Sequence, residues 1–400
     1  MTTKNNIPAG YKDSAVGIIP QEWCVFDFGD IAYVSKEKYT PTKSSHIACV
    51  ELEHLSQGDG VLLGYTEAGL QKSTKNIFKK GCILFGKLRP YLRKYWLAPF
   101  DGVCSSEIWV LNSNEEVCAK EYLYRLISSE RFIQFANVSI GSKMPRADWN
   151  FVSLTPFAVP PIAEQRKIAE ILGVWDEAIE KQSRLIEKLE LRKRALMQRF
   201  LTGRIRLPGF TTPWQKVKLG EIFDERNETK CENLPLLSIT ADKGVILQSE
   251  SDKKDTSNED KSKYKRICPN DIGYNTMRMW QGRSALSTME GIVSPAYTIV
   301  TPKAEVDSLF ISELIKQPRV VYDFWTHSQG LVGDTLNCKF HDFSQVKVAI
   351  PSLPEQKAIA EVLTTADDEI ATHCKKLDAL RLQKRGLMQQ LLTGKTRVKI

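Results

Sequence analysis

The segment 164–172, Glu-Gln-Arg-Lys-Ile-Ala-Glu-Ile-Leu, returns at 355–363 as Glu-Gln-Lys-Ala-Ile-Ala-Glu-Val-Leu, an offset of 191 positions from Glu164 to Glu355. The same offset relates Asp176 to Asp367, Leu189 to Leu380, Met197 to Met388, Gln198 to Gln389, and Leu201-Thr202-Gly203 to Leu392-Thr393-Gly394. It holds upstream at Trp23 and Trp214, Gly29 and Gly220, and Ile31 and Ile222. Chance does not keep one offset over so many positions. The chain is a tandem duplication, a globular part followed by a long helix, twice. A short-period solenoid is excluded, because its period is about 20–50 residues repeated three or more times.

The clearest element follows Pro160-Pro161. Ile168, Leu172, Trp175, Ile179, Gln182, Ile186, Leu189, Lys193, Leu196 and Phe200 step by alternating four and three residues, a sustained heptad seam. The second copy runs Ile359, Leu363, Ala366, Ile370, His373, Leu377, Leu380, Lys384, Leu387 and Leu391. Pro160-Pro161 bars an earlier start, and Ser352 with Glu355 forms a capping box with Pro354 near the first helical position. Thr202-Gly203 and Thr393-Gly394 supply glycine C-caps. Each helix is expected to run roughly 40 residues, about 60 Å at 1.5 Å per residue. Polar residues interrupt both seams at matching places, Gln182 and His373, then Lys193 and Lys384. A polar seam residue lowers stability but can fix register, and the two lysines are expected to snorkel to solvent. Antiparallel packing of the helices would relate the halves by a pseudo-two-fold axis, whereas parallel packing would put both globular parts at one end.

The globular parts, roughly 18–160 and 207–350, carry the alternation and turn signals of strands, as at 81–86, 102–105 and 296–300. Helical stretches are expected at 119–137 and 306–326, which makes each part α+β. The offset slips to 189 within them, at Arg89 and Arg278, Gly102 and Gly291, and Ser105 and Ser294, then returns to 191 at Pro160 and Pro351. One fold with compensating insertions explains this, and the polar residues it exposes differ almost throughout. A duplicated scaffold with two different surfaces suits a molecule that reads two different things.

No apolar run approaches the ~20 residues that span a bilayer, and the start, Met-Thr-Thr-Lys-Asn-Asn, lacks a signal-peptide core. The nine cysteines are scattered, without a C-x-x-C pair, which reads as reduced thiols in a cytoplasmic protein. A net charge of +8 permits an anionic partner without demanding one. Catalytic signatures are missing. Gly394-Lys395-Thr396 mimics the end of a phosphate loop, but Gln389 stands where that loop needs glycine. No methyltransferase-like N/D-P-P-Y/F, G-x-G-x-x-G, H-E-x-x-H or G-x-S-x-G occurs. His46, His54, His327, His341 and His373 have no metal-ligand spacing. Glu355 and Lys357 evoke a nuclease set, yet the twin of Lys357 is Arg166, and glutamate at a helix start favours the helix dipole.

The best candidate for touching nucleic acid is the run 86–96, where Lys87, Arg89, Arg93 and Lys94 interleave with Tyr91, Tyr95 and Trp96. Lysine and arginine neutralise phosphates, and arginine also bridges guanine O6 and N7. The bland alternative is a cationic edge strand that guards against aggregation. In the second half the counterpart is 275–283, where Asn275, Arg278, Trp280, Gln281 and Arg283 include the residue types that read base edges. Two further loops supply Ser142, Lys143 and Arg146, and Ser328 and Gln329, with ordinary polar turns as the alternative. The charged stretch 249–265 is expected to be a solvated loop.

Pro-(Pro/Ser)-x-x-Glu-Gln-(Arg/Lys)-x-Ile-Ala opening a long helix that closes on Leu-Met-Gln-x-(Phe/Leu)-Leu-Thr-Gly-(Arg/Lys), twice, resembles the DNA-specificity subunit of type I restriction-modification systems. The likeness includes the opening Ile18-Ile19-Pro20-x-x-Trp23, partly echoed by Pro213-Trp214, and the stretch 81–94. The resemblance implies two target-recognition domains, 1–160 and 207–350, each reading one half of a split, asymmetric site in double-stranded DNA. It implies that helical spacers, 161–206 and 351–400, pack antiparallel and dock two modification subunits. Those subunits would bind S-adenosylmethionine and methylate adenine, and separate restriction subunits would use ATP and Mg to translocate and cut. No cofactor is expected in this chain, nor any catalytic residue or metal. Two competing readings are a coiled-coil scaffold whose duplicated domains bind proteins, and a self-sufficient nuclease or methyltransferase.

Overall fold

The computed structural model describes residues 7–138, 145–240, 243–251, 257–330 and 335–400. Both long helices form, Ile162–Phe200 with 39 residues and Leu353–Leu392 with 40. Each ends on its glycine: Gly203 and Gly394 take φ of 67° and 70°. The N–H of Gly203 donates to Phe200 O and that of Ile205 to Arg199 O, and Gly394 and Thr396 repeat the pattern on Leu391 and Gln390. This nested bonding satisfies the last carbonyls of a helix, so Gly394-Lys395-Thr396 belongs to a cap.

The chain forms two compact units, one of Met1–Ser183 with Lys376–Ile400 and the other of Arg184–Lys375. Each unit thus holds one globular part, the first half of one long helix and the last half of the other. In the first unit Ile168 and Leu172 share a core with Met388, Leu391 and Leu392. In the second, Leu196, Met197, Phe200 and Leu201 pack with Ile359 and Leu363. The start of one helix meets the end of the other in both, which is antiparallel packing.

The seam lysines do not snorkel. Lys384 pairs with Asp176 in the first unit, and Lys193 Nζ lies 2.6 Å from Asp367 in the second. The lysine side chains are only 15% and 20% exposed. Antiparallel pairing brings each copy's lysine opposite the other copy's aspartate, so an ion pair replaces the extended excursion to water. Gln182 is buried and His373 half-buried.

The two globular parts repeat one sheet. In the first, the order is Tyr95–Leu97, Ile83–Gly86, Ile108–Ser113, Ala32–Val34. In the second it is Ser284–Leu286, Ile272–Asn275, Tyr297–Pro302, Phe223–Arg226, again antiparallel throughout. Register matches position by position: Trp109 faces Phe85 where Thr298 faces Tyr274. Beside it, Pro156–Val159 pairs with Cys24–Asp27, and Lys347–Ile350 with Gln215–Lys218. The compensating insertions are visible. Strands Ala48–Val50 and Thr66–Glu67 enclose a long loop, whereas their counterparts Leu237–Ile239 and Val245–Leu247 are joined tightly, and the second part lengthens the segment that follows. Gly29 and Gly220 recur because a Cβ there would press on Ser153 and Ser344, at 3.2 and 2.8 Å from its nearest atoms.

Three further expectations need correction. The helix expected at 119–137 is two, Lys120–Ser128 and Glu130–Ala136, because Ser129 is extended and its hydroxyl caps the second helix at Phe132 N–H. The one expected at 306–326 is likewise Ser308–Leu314 and Pro318–His327, since proline has no N–H to continue the first. The stretch 249–265 is not wholly loop: it begins in a 3-10 turn, Gln248–Glu250, and ends with buried Tyr264 and strand Lys265–Ile267, while 252–256 lie outside the described residues. Among the described residues no helix is long and apolar enough to cross a membrane.

Candidate nucleic-acid interface

In the first part the chain leaves strand Ile83–Gly86 into a 3-10 turn, Pro90–Leu92, flanked by Arg89 and Arg93, both in the left-handed region with φ near 52° and 51°. Two arginines in this conformation are uncommon, and such strain persists where the surroundings impose it. Arg93 is held by Gly58 N–H, which donates to its carbonyl at 3.0 Å, and Arg89 by backbone bonds to a distant loop. Leu88 bridges Arg146, Arg89 N–H donates to Pro145 O at 2.8 Å, and Ala147 N–H donates to Lys87 O at 2.8 Å. Two basic segments far apart in sequence therefore share one surface.

Side chains on that surface divide. Arg89 and Tyr91 are exposed and Lys87 half-buried. Arg93 is committed to Glu130, Lys94 Nζ donates to Leu52 O at 2.6 Å, and Arg146 pairs with Glu107 at 2.8 Å. Tyr95 and Trp96 are buried in strand Tyr95–Leu97, the edge of the four-stranded sheet. Ser142 and Lys143 lie outside the described residues.

The second part builds a similar joint, without a left-handed residue at Arg278, the position of Arg89. Its 3-10 turn, Met279–Gln281, follows strand Ile272–Asn275, and Gly282 takes the left-handed place held by Arg93, with φ 72°. Cys338 N–H donates to Thr276 O at 2.9 Å, the counterpart of Ala147 to Lys87. Gln281 and Arg283 are exposed, with Arg278 and Trp280 half-buried. Asn275 is turned to structure, its Oδ1 accepting from Met277 N–H at 3.0 Å. Trp280 Nε1 donates to Met277 O at 3.0 Å. Ser328 Oγ closes its helix on Phe324 O at 2.7 Å, and Gln329 Nε2 reaches Asp342 at 3.0 Å.

Beside this joint lies a cleft of about 540 Å³ whose walls include Glu225, Lys265, Thr276, Thr298, Asn337 and Lys339. Sequence reasoning missed Asn337 and Lys339. The signal was there: Asn337 stands 191 positions after Arg146, which was singled out. Exposed Tyr322 and Trp325, rings 5.5 Å apart, were missed as well.

The helix starts carry chemistry of a different kind. Glu164 and Glu355 are fully buried, so the helix dipole is not their main partner. Arg397 grips Glu164 with two bonds, 2.7 and 2.9 Å, and Trp23 Nε1 adds a third at 3.0 Å. Arg206 grips Glu355, its Nη2 at 2.6 Å from Oε2. The carboxylate of the supposed capping box is spent on that arginine. Gln165 and Gln356 are buried too. Gln165 donates to Val117 O and Pro160 O and accepts from Ala119 N–H, and Gln356 bonds Pro351 O and Asp307 N–H alike. The doubled Glu-Gln motif thus locks each globular part to a helix start and to the tail of the other helix. Burial pushes the thiols of Cys49, Cys118 and Cys338 up to about 12.

A duplicated α+β domain joined to two antiparallel helices, with a basic or polar turn at the same place in each copy, defines a bipartite recognition protein by its fold. The family model of the type I restriction modification DNA specificity domain matches residues 20–191 and 212–382, and the chain belongs to that family. It is 24% identical over 424 aligned positions to a putative type I restriction enzyme MjaX specificity subunit of Methanocaldococcus jannaschii, covering 97% of each. It is 28% identical over 179 residues to the EcoDI specificity subunit of Escherichia coli, which spans 43% of this chain and 39% of that one. In fold it is similar to a chain solved in work on assembly and conformational transition of the type I R-M system, with TM-score 0.62, 20% identity, and coverage of 94% and 99%. The S subunit of M. genitalium gives TM-score 0.55 at 14% identity, with both chains covered fully.

Proposed function

We propose that the globular parts, 1–160 and 207–350, each read one half of a split, asymmetric double-stranded DNA site, while the helical segments 161–206 and 351–400 dock two modification subunits. One observation carries this reading. A turn at the same place in each copy, held by the matched bonds of Ala147 N–H to Lys87 O and Cys338 N–H to Thr276 O, presents Lys87, Arg89 and Tyr91 in one copy and Thr276, Arg278 and Trp280 in the other. A shared frame with exchanged side chains is what reading two different half-sites requires, since base contacts specify and phosphate contacts position. The relatives' names, all specificity subunits of type I restriction enzymes, support it.

We assign no catalytic step to this chain. Its nearest approach to a nuclease carboxylate, Glu355, is buried against Arg206. S-adenosylmethionine, ATP and Mg belong to the modification and restriction subunits in this reading, and the assembly works in the cytoplasm.

The test is binding by the chain assembled with its modification subunit to a pool of random duplexes at several salt concentrations. Enrichment of one split sequence is expected, with affinity falling steeply as salt rises. Selection of no sequence, with weak salt dependence, would favour the protein-binding scaffold instead.

A further inference from the structure

We propose that the second globular part takes a nucleotide of its half-site into the cleft beside Thr276, the exocyclic amino group of an adenine or cytosine donating to Asn337 Oδ1 and the adjoining phosphate lying against Lys339. This deepens the DNA-reading role given above and rests on it.

The cleft exists because of particular substitutions. In the first part the matching space is filled. Trp109, 7% exposed, packs edge-on against Trp149 with ring centroids 5.6 Å apart, and Arg146 pairs with Glu107 at 2.8 Å. In the second part Thr298 occupies the register position of Trp109, Phe340 that of Trp149, and Ala296 that of Glu107. The sheet is unchanged, so the missing volume remains as a cleft of about 540 Å³.

The lining suits a nucleotide. Asn337 Oδ1 is buried and has no hydrogen-bond partner among the described residues. A buried acceptor left unpaired is costly, and a ligand N–H would satisfy it. Adenine N6 and cytosine N4 are the amino donors that DNA offers in the major groove. Glu225 supplies a second acceptor, partly neutralised by Lys265 at 3.8 Å. Lys339 is exposed and supplies the cation a phosphate needs. Thr276 places the cleft on the same segment as Arg278 and Arg283.

The test uses the full chain assembled with its modification subunit, titrated against duplexes carrying its split site. Each adenine of the half-site read by the second part is replaced in turn by purine, and each cytosine by 2-pyrimidinone, both of which lack the amino group. One replacement should weaken binding about tenfold, and Asn337→Leu should bind that duplex and the unaltered one alike. Thr298→Trp, which refills the cleft as the first part does, should weaken binding and abolish the effect of that replacement, while replacements in the other half-site act as before. If no replacement weakens binding by the unaltered chain, the proposal falls, and this arm needs no variant to fold. It falls too if Asn337→Leu still discriminates at that base, or if the loss is equal for both half-sites, the mark of a structural role. Failure of the unaltered complex to prefer any split duplex would remove the DNA-reading role itself, a separate result.

Discussion

The two globular parts share a frame and differ in what they hang on it, and the helix starts do the reverse. At the turn 86–94 and its counterpart 275–283, the joint is made by backbone groups: Ala147 N–H on Lys87 O, Cys338 N–H on Thr276 O. Backbone bonds do not depend on side-chain identity, so these positions can exchange lysine for threonine and arginine for asparagine without losing the fold. At the helix starts the joint is made by side chains, Glu164 with Arg397 and Glu355 with Arg206. Changing one partner there strands a buried carboxylate. Sequence is therefore kept where side chains build the structure, and varies where the backbone does.

The comparison can be broken by experiment. The largest effect should come from Trp23→Ala. Trp23 is fully buried and bonded to Glu164, so about 3–5 kcal/mol of stability should be lost in denaturant unfolding. Trp214, half-buried and with no partner for its Nε1 among the described residues, should cost clearly less when truncated. Equal losses would show that the two starts are not built differently.

Next in size is the arginine pair. Arg206→Ala should lower the melting temperature by several degrees, and by more than Arg397→Ala. In the latter Glu164 keeps the Trp23 N–H, whereas Glu355 has no tryptophan donor among the described residues. The reverse order would contradict the hydrogen-bond account.

The smallest effect is acid sensitivity around Glu228 in the second unit. Hydrogen bonds from Arg266 and then Arg226 hold the Glu228 carboxyl below its usual range. A carboxyl so depressed stabilises the fold above its unfolded pKa, and the contribution is lost as pH falls through the depressed value. Hydrogen exchange should therefore show strand Lys265–Ile267 losing protection on acidification, and Glu228→Gln should remove the difference between neutral and acid pH. No change in Glu228→Gln would assign the difference to other groups.

Much of this was legible in the sequence. The heptad steps and the terminal glycines placed both helices, because period and caps are local properties. The slip from 191 to 189 falls around the loop exchange at Ala48–Val50 and Leu237–Ile239, and the return to 191 falls later, between Ser105 and Pro160. What could not be read was any pairing across the duplication. Lys193 with Asp367, and Glu164 with Arg397, each join residues of opposite copies, and no local pattern says which residues antiparallel packing brings together. The interface was half legible. The basic run was visible, but Arg93, Lys94 and Arg146 turn out to serve Glu130, Leu52 and Glu107, and the cleft at Asn337 depends on a tryptophan present in the other copy.

The central claim is that each copy reads its own half of one split site. It is tested most directly by sequencing adenine methylation in a host carrying this chain with its modification subunit, unaltered or as Arg89→Ala. The unaltered chain should give one asymmetric motif with a fixed gap. Arg89→Ala should relax bases in one half only, at a cost of about 1–3 kcal/mol in binding. Relaxation of both halves together, or a motif without a gap, would contradict the account.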